Sequence, residues 1–248
     1  MMYSADISTA EVVKKQVSYK WRAYISVFTS LVVIQLLAVL FSLNGTGMSS
    51  SGGMNYNIRV EYYNADMIMI FTIFWGFITA LLLTTKAYRE DDFAFVTNRT
   101  SGTLSTIIYL WIICSIAGFA ASLSGYLLKV VVFLFTSQEL LSNNGAEGAG
   151  IYVMGLVSLI LTIFMFAGFG YAAGMIVQWN KMFVILLPVL FIGLLISLES
   201  AGYSMDRFFF QFLFSEQNFW LFIMKSLAVS TAAYVTAFLI SNRLEVKR

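Results

Sequence analysis

DMIMIFTIFWGFITALLLTT (66–85), KAYREDDFAFVTNRTSGT (86–103) and LSTIIYLWIICSIAGFAASLSGYLLKVVVFLFT (104–136) follow one another in the chain. Each outer run reaches or exceeds the roughly 20 apolar residues that carry a helix across a bilayer. The middle stretch is of another kind. Six of its first fourteen residues are charged (Lys86, Arg89, Glu90, Asp91, Asp92 and Arg99), against 11% in the whole chain. Phe93 and Phe95 stand among those charges. The pattern predicts two spanning helices joined by a short loop. Its mixed charge and protruding aromatics suit a surface on which another protein docks.

The rest of the chain repeats the theme. Of 248 residues, 59% are hydrophobic and 17% aromatic. A soluble domain of that size has no interior large enough for so much apolar surface, so the class is a polytopic membrane protein. The net charge of +2 is too small to suggest nucleic-acid binding. The one cysteine, Cys114, lies inside an apolar run and reads as packing. Histidine is absent, which removes His-based acid–base chemistry and His metal sites. There is no GxxxxGK[ST] phosphate loop, no HExxH and no CxxC. The acids Glu90–Asp92 are neighbours in a loop, and no reading as an enzyme or a metal site follows from them.

The expected fold is all-α with six transmembrane helices, at about Ala23–Leu43, Asp66–Thr85, Leu104–Thr136, Gly150–Val177, Met182–Ser200 and Asn218–Ser241. Residues 1–22 form an N-terminal segment, residues 23–241 the transmembrane domain and residues 242–248 a tail. If the N-terminus is cytoplasmic, eleven of the 15 Lys and Arg fall inside, which places both termini and the loop 86–103 in the cytoplasm. The outer connection Asn44–Ala65 is rich in Ser, Gly and Asn and reads as mobile, and NNGAEGAG (143–150) reads as a turn. Residues 200–217, with five Phe after Arg207, are too apolar for a free loop and suggest a membrane-associated hairpin. No internal repeat points to an inverted-repeat transporter.

The N-terminal segment begins with a polar stretch and reads as a retained segment, not a cleavable leader. Ser8 and Glu11 have the spacing of a capping box. Ala10, Val13, Val17, Trp21 and Tyr24 share one face, and the segment reads as a basic amphipathic helix at the membrane surface.

Within the spans, Gly170 and Gly174 form a GxxxG, and Gly118 and Ser122 repeat its small-residue spacing, so all four are candidate helix-packing positions. Pro188, the only proline, predicts a kink and a candidate hinge. Lys225 lies seven residues past Asn218, about 10 Å along a helix, and needs a partner such as Glu199 or Glu216. With Asp206 and Arg207 these residues form a candidate outer gate.

The layout resembles the membrane subunit of an ABC-2-type ABC transporter. The sharpest local likeness is NRTSGTLSTII (98–108), where Arg99, Ser101, Gly102, Thr103 and Leu104 fit the family's loop ending. Asn98 and Ser105 stand where that family usually carries acids. The resemblance implies a permease in the cell membrane, of bacterial plasma-membrane type. Such a permease works with a separate P-loop ATPase subunit that binds ATP and Mg, and with a second permease copy or a paralogue. It implies that Tyr88, Arg89, Glu90, Asp91, Asp92, Phe93, Phe95 and Arg99 form a coupling helix seated in the ATPase, and that the substrate is an exported amphipathic peptide, lipid or drug. The chain itself would bind no cofactor and no metal; membrane lipid is its other partner. A self-contained channel or ion-coupled carrier, and a non-transporting assembly or immunity subunit, are the alternatives from other classes.

Overall fold

The computed structural model describes residues 8–43, 45, 47–53, 56–85, 87–88, 99–135, 149–200 and 218–243. Seven helices and one hairpin lie among them. Helix α1 is Thr9–Ala23 and α2 is Ser26–Ser42. Strands β1 (Gly47–Gly53) and β2 (Tyr56–Tyr62) follow, then α3 (Asp66–Leu83), α4 (Arg99–Phe135) and α5 (Ala149–Trp179). Helices α6 (Phe183–Ser200) and α7 (Phe219–Arg243) close the order.

Helices α2 and α3 turn apolar stripes outward. Val32, Leu36 and Leu40 stand exposed at four-residue intervals on α2, as do Phe74, Ile78 and Leu82 on α3. In water such stripes would aggregate; in a bilayer they face lipid. Together with the apolar length of the helices, this makes the chain a multi-pass protein of a cell membrane.

The number of spans differs from the six expected. Among the described residues four helices are long and apolar enough to cross: α3, Thr100–Phe135 within α4, α5, and Phe219–Ser241 within α7. A fifth is reached only if α1 and α2, bent by 53° at a short break, count as one span. Helix α2 has 17 residues, about 25 Å at 1.5 Å per residue, and falls short of the roughly 30 Å hydrocarbon core by itself. Helix α6 falls outside the set. It is an 18-residue helix with Pro188 inside. The six-span architecture is therefore corrected to four, or five with the bent pair. The placing of both termini in the cytoplasm, which rested on six, goes with it.

Part of the connection Asn44–Ala65, expected to be mobile, is described. It holds an antiparallel hairpin in which Gly47 pairs with Tyr62 and Gly53 with Tyr56. The hairpin sits at one end of the bundle, where Ala65 approaches to 3.1 Å of the position a Cβ on Gly125 would take.

Helix α5 is the centre of the bundle, packed on α3, α7 and α4. Small residues allow the closest approaches. Gly170 lies against the Phe77 backbone, Gly174 against Thr84, Gly76 against Ile163 and Gly118 against Ile160. The Gly170–Gly174 pair thus lies in an interface within the chain, between α3 and α5. Helix α6 meets the bundle chiefly through α5.

Polar ties cross the apolar core. Trp75 Nε1 donates to Ser30 Oγ at 2.9 Å and the Tyr234 hydroxyl to the Phe164 carbonyl at 3.3 Å. Buried Gln35 donates to the Ala117 carbonyl at 3.4 Å and accepts from Ser124 Oγ at 3.3 Å, tying α2 to α4. Interhelical hydrogen bonds of this kind contribute on the order of 1 kcal/mol in membranes. Gln35→Leu is expected to lower stability by about that amount, read as a lower thermal unfolding midpoint in detergent. An unchanged midpoint would show that these two long bonds contribute nothing.

Candidate functional site

The loop that opened the sequence reading is bracketed by three elements that meet at one end of the bundle: α1, the end of α3 and the start of α4. Helix α1 begins where Ser8 Oγ accepts the Glu11 N–H at 3.3 Å. The Glu11 carboxylate pairs with Lys15 at 2.9 Å. The helix ends at Tyr24, whose backbone (φ −105°, ψ 40°) leaves helical geometry while its N–H still bonds the Lys20 carbonyl at 3.0 Å.

Side-chain contacts hold that corner. The Tyr24 ring meets the Tyr88 ring edge-on at 4.7 Å and the Tyr109 ring at 6.1 Å. Its hydroxyl donates to the Tyr88 carbonyl at 3.4 Å. Aromatic pairs at these separations contribute about 0.5–1.5 kcal/mol beyond their burial. The tyrosine that caps α1 therefore touches both the residue entering the loop and the helix leaving it.

One turn back along α1 lies a buried cation. Lys20 is 2% exposed, and its ammonium donates to Thr106 Oγ1 at 2.6 Å and to Ser105 Oγ at 3.1 Å. Both hydroxyls donate in turn to the Gly102 carbonyl, at 3.0 Å from Thr106 and 2.8 Å from Ser105. Their protons are spent within α4, so it is their lone pairs that face the lysine. A serine beside a lysine invites comparison with a nucleophile and its base. Here Ser105 is fully buried and its proton is engaged, so no substrate carbonyl reaches it.

Two further polar groups flank the lysine. Gln16, one turn before it, is 1% exposed with neither amide atom hydrogen-bonded. The Tyr109 hydroxyl, one turn beyond Ser105, is also buried without a partner. Such groups are rare in native interiors, and two of them in one joint mark a place where something other than tight packing set the sequence.

The expected site residues fall unevenly on this geometry. Tyr88 belongs to the joint. Arg89, Glu90, Asp91, Asp92, Phe93 and Phe95 lie outside the described residues, and Arg99 is described only as the first residue of α4. Of the proposed outer gate, Asp206, Arg207 and Glu216 lie outside, Glu199 is placed only as backbone in α6, and Lys225 is partly buried in α7. Four of the five gate side chains thus lie outside the described residues. Pro188 sits exposed in α6. Ser122 is partly buried on α4. Among the described residues no cluster of Cys, Asp and Glu is arranged to hold a metal.

Gln16, Thr106 and Tyr109 were absent from the sequence expectation, which counted Lys20 only as a positive charge that fixes topology and Ser105 only as a departure from the family's acid. The available sign was spacing: Val13, Gln16, Lys20 and Tyr24 follow steps of three, four and four, and all four are buried. Trp21 and Ala10, placed on the expected apolar face, are exposed instead.

Comparison of the chain with protein families, with curated proteins and with solved structures finds no match.

Proposed function

We propose that the chain is the permease subunit of an ABC-2-type transporter, moving an amphipathic substrate with ATP hydrolysed by a separate subunit. The observation that carries the reading is the joint around Lys20 and Tyr24. It ties α1, the start of the loop at Tyr88 and the first turns of α4 into one unit. A partner that pulls on the loop would move a spanning helix and the surface helix together, as a coupling device must. Lys14, Lys15 and Arg22 of α1 and Arg99 of α4 add positive charge to the two helices that meet in this joint.

The local motif supports the same reading. Arg99, Ser101, Gly102, Thr103 and Leu104 fit the family's loop ending, and the position where that family usually has an acid after Leu is Ser105. It is Ser105 that the Lys20 ammonium meets. A cation stands opposite the family's acidic position even though the acid has become a hydroxyl.

In this mechanism Phe93 or Phe95 seats in a groove of the ATPase while Arg89 and the acids fix orientation. Closure of the ATPases on ATP draws the loop, and the joint passes the displacement to α4. The reaction chemistry belongs wholly to the partner.

The test is purification of the tagged chain from native membranes, identification of any P-loop ATPase that accompanies it, and reconstitution of the pair. Phe93→Ala and Arg89→Ala should reduce transport-coupled ATP hydrolysis by about tenfold or more, in line with loss of a binding hot spot, without lowering the unfolding midpoint. Full coupling in both variants, or transport by the chain alone without ATP, would overturn the assignment.

A further inference from the structure

We infer that the groove between α1 and the first turns of α4 is a binding site for one anionic phospholipid. The inference stands apart from the transport reading and holds for any membrane protein with this joint. Val13, Val17 and Trp21 of α1 form one wall, and Leu104, Ile108 and Ile112 of α4 the other. The groove holds about 630 Å³, within the range of about 300–1,000 Å³ typical of small-molecule sites. From Ala10 to Trp21 it runs about 16 Å along α1, at 1.5 Å per residue.

Its position decides what fills it. One wall is the first turns of the candidate spanning segment Thr100–Phe135, so the groove opens at the end of a membrane helix, where lipid reaches it. Water gains no hydrogen bonds from the two apolar walls, and an acyl chain matches their length and chemistry. Trp21, 43% exposed, has the amphipathic ring that favours the headgroup boundary.

Charge selects the headgroup. Lys14 and Ser18 are the polar residues that line the groove. Lys14, Ser18 and Arg22 recur at four-residue intervals and form one rail along α1. Lys15 is occupied by Glu11, whereas among the described residues neither Lys14 nor Arg22 has an ion pair. Two cations with no ion pair among the described residues, beside an apolar slot, complement a phosphate above an acyl chain. A zwitterionic headgroup brings its own ammonium to the same place and gains less.

Trp21 supplies the reporter. The full chain and its Trp21→Phe variant are reconstituted in vesicles of phosphatidylcholine with a minority of phosphatidylglycerol. Bromine is carried either on the phosphatidylglycerol chains or on an equal mole fraction of phosphatidylcholine. The difference in emission between the two proteins isolates the quenching of Trp21. Quenching several-fold stronger by brominated phosphatidylglycerol is expected. The Lys14→Gln/Arg22→Gln double variant, altered only at exposed positions, should lose that preference while keeping its helical circular dichroism. Equal quenching by the two lipids would overturn the site, because the groove would then be ordinary lipid-facing surface. Absence of quenching would also overturn it, showing a protein occupant such as a second copy of the chain. A preference that survives in the double variant would remove Lys14 and Arg22 as its basis and sink the proposal as stated.

Discussion

Gly170→Ala is expected to lower stability by about 1–3 kcal/mol or more, the usual range for forcing an extra group into a filled interface. A Cβ at this position would run into the carbonyl oxygen of Phe77, with the carbonyl carbon at 2.9 Å and the Phe77 Cα at 3.1 Å. All three are backbone atoms of α3 and have no rotamer in which to withdraw. The helices must part, and the contacts along α3 and α5 are lost with them. Gly174→Ala is the milder neighbour. Its Cβ meets Thr84 Oγ1, a side chain that yields by giving up its bond to the Leu81 carbonyl at 2.6 Å. Gly155→Ala, on the same helix with nothing within 4 Å, serves as the control. It should be neutral or more stable by up to about 1 kcal/mol, because alanine favours helix over glycine. Unfolding midpoints in one detergent rank the three. Equal stability of the Gly170 and Gly155 variants would show that the α3–α5 crossing is looser than these distances require.

Much of the fold was legible because a bilayer imposes a simple rule on sequence. Long apolar runs mark helices, and six such helices lie within a few residues of where the runs stand. The count of spans was not legible to the same degree. Whether a helix of 17 or 18 residues crosses depends on bends and polar ends, and the break at Tyr24–Ile25 contains neither Gly nor Pro. What holds Tyr24 there is its contact with Tyr88 and Tyr109, residues 64 and 85 positions away. No local pattern carries that. The hairpin was hidden for a related reason. GMSSSGG has no strand propensity, and only its register against YNIRVEY, which does, makes it a strand.

The candidate site was hidden by the same rule that revealed the spans. Reading an amphipathic helix assigns charges to water and apolar residues to the core. In α1 the buried row contains a lysine and a glutamine, while Trp21 faces out. Residues that violate the rule are the ones the rule cannot find. The motif around Ser101–Leu104 was found, yet the physical reason for its neighbours Ser105 and Thr106 is visible only when α1 is laid beside them.

Removal of the Lys20 latch should have the second large effect, and a double-mutant cycle separates its parts. Lys20→Ala deletes a buried four-carbon stem as well as the ammonium, and by analogy with other large-to-small core changes it is expected to cost about 2–5 kcal/mol. Lys20→Met keeps most of the stem and removes the charge, so the difference between the two variants measures packing. Thr106→Val keeps the shape of the shorter partner, at 2.6 Å, and removes its lone pairs. The hydrogen bond then appears as the coupling between Lys20→Met and Thr106→Val. A value of about 1–3 kcal/mol is expected, as for hydrogen bonds to charged groups. The cycle cancels whatever else Lys20 touches, provided each change creates no new contact. Coupling below about 0.5 kcal/mol would reduce the latch to coincidental proximity. With full coupling, the same pair of variants separates stability from transmission. If the proposed ATPase coupling holds and the joint carries motion from the loop to α4, Lys20→Met should impair ATP-coupled transport more than its unfolding midpoint explains, whereas Gly174→Ala should impair both in proportion.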